Sequence, residues 1–350
     1  MNPSMKSRTK TTGLVSVATA AALLVGARDA RAHGDVDVDR PTIEGHGEVR
    51  VEGAPGERAE EAGGEHEDRY ALGLDMVLGW GKVPFAVQNL PTTNAQALTY
   101  TRADQTPSDV QSFLLQGSAE IARHVEVGFR LPFTFASFSP EGSVPRSATS
   151  LGNLELEGAY SVPLGRGLKL EAALGVALPT AEGQEVPAGL VNQGVSGADA
   201  AAYDRWSLSR AAAFARGYED NALFAPHRLG LVPKVALAYR ARRLSVEPYV
   251  KVENLIGTST LLDASYVGEL VGGLRVGYRV LRHVEVALRG WVNVGFAGTA
   301  DDKVTAAAIE PMVAFPLGPV RPYAGVIIPL TGPPSDNGYV GVRLGLSGSF

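Results

Sequence analysis

Between Tyr70 and Phe350 apolar and polar residues alternate with a period of two, segment after segment, and this restricts the chain to sheet. The terminal segment shows the pattern well. Val340, Val342, Leu344, Leu346 and Phe350 share one face, and Gly341, Arg343, Gly345, Ser347 and Ser349 share the other. Twelve such segments can be read. The first sets Tyr70, Leu72, Leu74, Met76, Leu78 and Trp80 against Asp75; the third sets Val125, Val127, Phe129 and Leu131 against Glu126 and Arg130. The weakest is the tenth, with Ile309, Val313 and Phe315 against Glu310. Pro132, Pro233, Pro248 and Pro311 fall inside these runs, so bulges or shortened strands are expected there.

The spacing between segments sorts by parity. After the even segments the links are tight: Ala122–His124, Pro163–Gly167, Arg240–Arg243, Leu281–His283 and Pro316–Pro319. After the odd ones they are longer: Gly81–Asp109, Ser137–Ser150, Ala181–Ala225, Gly257–Ala264, Ala297–Lys303 and Thr331–Asn337. A soluble sandwich gives no reason for such sorting. Short periplasmic turns alternating with long outer loops are the mark of an antiparallel up-and-down β-barrel in the outer membrane, all-β, with both termini periplasmic. Aromatics sort by depth in the same sense. Tyr160, Tyr239, Tyr278 and Phe315 lie near the short turns, and Trp80, Phe133, Phe135 and Phe296 near the long loops, as two lipid–water interfaces require.

The remainder of the chain agrees. Lys6, Arg8 and Lys10, the apolar run Thr11–Ala27 and Ala30-Arg31-Ala32 form a secretory signal over residues 1–32. Residues 33–69 are acidic and poor in large apolar groups, which predicts a disordered periplasmic tail. Its His33, His46 and His66 match no compact spacing, so no metal site and no cofactor are expected; a metal-binding tail is the alternative. Cysteine is absent, and a net charge of −5 gives nucleic acid nothing to bind. The barrel occupies residues 70–350.

Function must then lie in the lumen and the loops. The inward faces carry Glu126, Arg130, Glu155, Glu157, Lys169 and Glu171 in the first half of the barrel. Lys234, Glu247, Lys251, Arg275 and Arg289 follow in the second. These charges either pair across strands and fill the lumen or line a narrow polar path that sets selectivity. The longest outer loop predicts a helix over Ala198–Arg216, started by Ser196 and Asp199, with Tyr203, Trp206 and Phe214 on one face. That helix is a rim element, a lid or an inward-folded constriction. An enzyme is not expected. His227 falls at the outward face near the outer rim with Leu229 as its same-face neighbour, and His124 and His283 sit in inner turns.

Two resemblances sharpen the expectation. The alternating strand that ends in Phe350 resembles the C-terminal signal of Gram-negative outer-membrane β-barrels, which implies lipid and the barrel-assembly machinery as partners. Leu151-Gly152-Asn153-Leu154-Glu155-Leu156-Glu157, Tyr160, the turn Pro163–Gly167 and Leu174-Gly175-Val176-Ala177-Leu178-Pro179-Thr180 resemble outer-membrane barrels linked to phenol meta-pathway degradation. That family is regarded as transporting aromatic compounds. The likeness implies passive or gated passage of a small solute, hydrophobic or aromatic among the candidates. The alternatives are a structural or adhesive barrel without a pore and, further off, an enzyme acting on lipid or peptide.

Overall fold

The computed structural model describes residues 70–89, 99–186, 197–260, 262, 264–298 and 304–350. The expected signal segment, the acidic tail and the helix-start residue Ser196 lie outside the described residues. Thirteen strand segments follow in order. They are β1 (Tyr70–Asn89), β2 (Thr99–Ala122), β3 (Val125–Phe138), β4 (Arg146–Leu151), β5 (Leu154–Gly165), β6 (Leu168–Leu178) and β7 (Arg228–Ala241). The series continues with β8 (Leu244–Gly257), β9 (Tyr266–Leu281), β10 (Val284–Ala297), β11 (Thr305–Ala314), β12 (Val320–Thr331) and β13 (Val340–Ser349). The helix α1 (Gly197–Ala215) and a 3-10 turn (Asn221–Phe224) separate β6 from β7, and the one-turn helix α2 (Pro333–Asp336) separates β12 from β13.

Segments β4 and β5 run end to end along β3. The thirteen segments therefore make twelve staves, each antiparallel to its neighbours. The sheet closes where β1 pairs β13, from Ala71↔Ser349 to Trp80↔Val340. The backbone of Tyr70 also exchanges hydrogen bonds with that of Phe350 (3.1 and 2.8 Å). Closure leaves no open edge, which is what a sheet in a bilayer needs. No helix among the described residues is long and apolar enough to cross a membrane.

The period of two translates directly into the two faces. Leu72, Trp80, Leu174, Val235, Leu288 and Val292 are exposed on the outside, while Asp75, Gln116, Glu171, Lys234, Arg275 and Arg289 are buried inside. Two expectations need correction. Only Pro132 meets the expectation: opposite it the partner of β3 breaks into β4 and β5, and the register shifts by one residue between Phe133↔Leu151 and Arg130↔Glu155. The other three prolines sit inside continuous strands. Pro233 pairs Leu174, Pro248 pairs Leu274 and Pro311 pairs Leu288. On the opposite flank the ladder skips a few residues, as between Leu231↔Asn254 and Lys234↔Lys251. Proline lacks its donor toward one neighbour only, and the other ladder carries the strand. Other register shifts include one at Pro84, between Val83 and Phe85, and one near a strand end, at Gly295/Ala297.

The second correction concerns the expected loop Gly81–Asp109. The hairpin runs on as β-structure, with Phe85↔Ala103 and Asn89↔Thr99 still paired. In the expected loop Ser137–Ser150, β4 likewise pairs the end of β3, from Phe133↔Leu151 to Phe138↔Arg146. These polar stretches read as loops because they lack an apolar outer face, yet their backbones complete ladders beyond the apolar band.

Candidate functional site

Helix α1 is long, rich in alanine and ends in the apolar run Ala211-Ala212-Ala213-Phe214-Ala215. A helix end that is apolar all round must be buried all round. It is buried inside the barrel. Leu208, Ala211, Ala212 and Phe214 pack against the inward residues Val77, Val83, Phe85, Val110, Leu114, Ala136 and Phe138 of β1, β2 and β3. The same cluster continues through Tyr218 and Leu223 to Tyr249, Val271, Trp291, Ala308 and Ile327 on the far wall. Small residues permit the approach. A Cβ at Gly79 would overlap the Ala215 Cβ, and one at Gly341 would overlap the Ala215 carbonyl oxygen.

The helix ends in a left-handed cap. Gly217 has φ +65°, its N–H donates to the Phe214 carbonyl (2.9 Å), and the Tyr218 N–H donates to the Ala213 carbonyl (2.9 Å). This pairing of bonds defines a Schellman motif, and the Phe214 and Tyr218 rings meet at 5.4 Å as its apolar contact. The cap turns the chain across the lumen and presents Arg216, Glu219, Asp220 and Asn221 to the wall charges.

Between them these groups reach β1, β2, β3, β8, β9 and β10. Arg216 donates to Asp75 Oδ2 on β1 (2.8 Å) and to Ser112 Oγ on β2 (3.1 Å). Glu219 accepts from the Tyr249 hydroxyl on β8 (2.6 Å) and pairs with Arg289 on β10 (3.2 Å). Asp220 pairs with Arg130 on β3 (3.1 Å) and Lys251 on β8 (3.3 Å). Asn221 donates to Glu269 on β9 (2.7 Å), and the Ala222 N–H donates to Glu253 on β8 (2.8 Å). Backbone carbonyls are held too: Trp291 donates to Gly217 (2.9 Å), and Asn153 donates to Ala222 and Ala225 (both 2.8 Å).

Of the lumen charges picked out by the alternation, Arg130, Glu155, Lys251 and Arg289 thus belong to this collar. Arg130 also donates to Glu155 (2.7 Å), Lys251 pairs with Glu253 (2.7 Å) and Arg289 donates to Glu310 (3.0 Å). Toward the short turns the pairs run wall to wall: Lys234 with Glu171 (3.8 Å), and Arg275 and Arg321 both with Glu285 (3.1 and 2.9 Å). Glu126, Glu157, Lys169 and Glu247 are only half-buried. The alternation does not single out Arg216, Glu219 and Asp220, which lie outside any strand. Their signal is a charged turn directly after an apolar helix, facing a lumen rich in both signs.

The loop-helix candidates separate. Phe214 is buried in the plug and meets Tyr339 edge-on at 5.3 Å. Tyr203 joins Ala86, Val186 and Ala200 in a smaller cluster against which Trp206 packs. Trp206 also lines a cavity of about 100 Å³ between α1, residues 218–228 and the walls of β8 and β9. His227 lines that cavity rather than the outward face, with φ +56°. Phe350 is exposed on the barrel exterior. Near the loop end of α1, Asp204 pairs with Arg146 (2.9 Å). Burial pushes the Asp204 carboxyl up to about 6, although Arg146 and Arg205 pull it down.

No family model matches the sequence, and no curated protein matches it. Among solved structures the chain is similar to an outer membrane channel from Pseudomonas putida F1, with a TM-score of 0.50 and 14% identity over 83% of this chain and 100% of that one. It is also similar to the β domain of the Bordetella autotransporter BrkA, with a TM-score of 0.47 and 15% identity over 81% of this chain and 100% of that one. The toluene transporter TbuX of Ralstonia pickettii aligns with a TM-score of 0.36 and 10% identity over 81% of this chain and 89% of that one. The first of these likenesses shows the barrel fold.

Proposed function

We propose that this chain is an outer-membrane barrel that passes a small solute through its lumen, with α1 and the turn after it as a movable plug. One observation carries this reading. Among the described residues a loop element, α1 with the turn after it, is packed inside the barrel against the wall side chains. Wall residues that only had to fill a structural barrel would pack against one another. Here Asp75, Arg130, Tyr249, Lys251 and Arg289 all reach inward to a segment that belongs to no strand.

Buried ion pairs add little net stability but are costly to break singly, so they fix one seated position for the plug. Moving the plug as a unit would expose the same charges to water together, and the lumen would then be a polar path of mixed sign. The exposed apolar exterior supports placement in lipid, with the short turns and both ends of the barrel on the periplasmic side. Engagement of the barrel-assembly machinery through β13 and Phe350 belongs to the same reading. A solute is the partner, and no catalytic role is assigned.

The test is single-channel recording in planar bilayers. Wild type should conduct rarely or in short bursts. Arg216→Ala combined with Asp220→Asn should raise the open fraction at least tenfold, and removal of 198–216 should leave the channel open. If both variants are folded by heat-modifiable migration and remain impermeable, the barrel is structural or adhesive and the transport reading fails.

A further inference from the structure

The cavity beside α1 holds a cation that the protein leaves without a paired carboxylate. Arg210 projects from α1 into it, and its guanidinium carbon lies 5.7 Å from the Trp206 ring centre, 5.2 Å from Phe214 and 5.7 Å from Tyr218. Among the described residues it donates no hydrogen bond and has no carboxylate within 4.0 Å, and its Nε is buried without a partner. The lumen arginines at the plug, Arg130, Arg216 and Arg289, are each paired with a carboxylate. Glu269, which lines the same cavity, feels the charge of Arg210 without touching it, and its Oε2 accepts from Asn221 (2.7 Å) and Asn293 (2.6 Å).

A guanidinium steadied by rings and bonded to no protein carboxylate presents its donor fork to a guest. Leaving it partly desolvated and unpaired costs free energy that a bound carboxylate returns as a charge-assisted, two-point hydrogen bond. Phe224, Leu255 and Val267 supply apolar wall. The volume of about 100 Å³ is smaller than the apolar cavity of about 150 Å³ that encloses benzene, so a short branched chain fits whole and a single ring fits with one edge left in the open mouth. The Glu269 carboxylate beside Arg210 repels a second negative charge on the guest. We propose that this cavity is a binding site for a small monocarboxylate with an apolar body, whose carboxylate is taken by Arg210.

Occupancy would place the solute against α1, on the plug itself, and that use rests on the transport reading. Binding does not. Calorimetric titration of the full chain in detergent should show saturable one-to-one binding of benzoate. Neutral benzyl alcohol and the dianion phthalate should bind at least tenfold more weakly. Arg210→Gln should lose at least tenfold in affinity for benzoate, and Arg210→Lys should retain part of it. Arg210 makes no ion pair within the fold, so both variants should keep the heat-modifiable folded band. Absence of benzoate binding, equal binding by folded Arg210→Gln, or equal binding of benzyl alcohol overturns the site. Binding without any conductance in the unlatched variants refutes transport and leaves the site standing; conductance without binding does the reverse.

Discussion

Asp204 gives the plug a pH dependence whose sign follows from its surroundings. Its carboxyl is raised to about 6 when α1 is docked, above the value of 3.8 ordinary for an aspartate. The docked state therefore binds the proton more tightly than the released state. That contribution to docking is fully present below about pH 3.8 and is lost as pH rises through about 6. Open fraction should accordingly rise as pH is taken from just above 3.8 to beyond 6, and Asp204→Asn should remove most of the rise. A fall over that range, or an unchanged profile in the variant, contradicts the assignment. Arg216 makes a different prediction. Its loss leaves Asp75 buried, with Arg343 at 3.6 Å as its remaining cation. Removing one partner of a buried pair costs about 3–5 kcal/mol. Arg216→Ala should therefore lower the unfolding midpoint or loosen the plug, read as protease access to the loop bearing α1. An intact loop and an unchanged midpoint would show that the collar does not hold the plug.

At the scale of elements, how far a segment can be read from sequence depends on which surface it meets. The strands are plain, because an apolar outer face and a charged inner face impose the period of two on residues such as Leu170 to Leu178 in β6. Extensions beyond the apolar band lose that contrast. Lys82, Thr101 and Arg102 look like loop residues although their backbones are paired in β1 and β2. The helix is legible from its composition, and it begins and ends within a residue of the expected limits. Its place inside the barrel is not, because Tyr203, Trp206 and Phe214 could equally cover a rim. Deciding between rim and lumen requires knowing that Gly79 and Gly341 both abut Ala215 from neighbouring staves, a fact invisible in any one segment. The cap offers a test of this seating. Gly217→Ala would place a Cβ 2.7 Å from the Trp291 ring at φ +65°. It should cost about 1–2 kcal/mol of left-handed strain plus a clash, and it should raise the open fraction. Gly142→Ala has φ +70° with nothing within 4 Å. It should carry the strain alone and leave conductance unchanged. Equal conductance in both variants would mean the cap does not seat the plug.

For the whole molecule, two solvents set two different tolerances to charge. A closed sheet with an apolar exterior and a charged interior is stable only where hydrocarbon covers the outside. In water the exposed band that includes Leu174, Val235, Leu288 and Val292 would drive aggregation. Tolerance on the outer face should therefore depend on depth. Val235 is 52% exposed near the middle of β7, and Tyr239 is 39% exposed near its short turn. Arginine at the bilayer midplane of such a barrel costs roughly 2–4 kcal/mol, and near an interface about 0–1. Val235→Arg should therefore lower the stability of the barrel folded into lipid vesicles by a few kcal/mol in urea titration, whereas Tyr239→Arg should come close to wild type apart from the loss of one interfacial ring. The same pair in a detergent micelle, where the apolar belt is deformable, should differ less. A soluble β-protein would show no such gradient. Equal tolerance at the two depths in vesicles would mean that the outward face of β7 is not covered by hydrocarbon, and the barrel would then have to be placed somewhere other than a membrane.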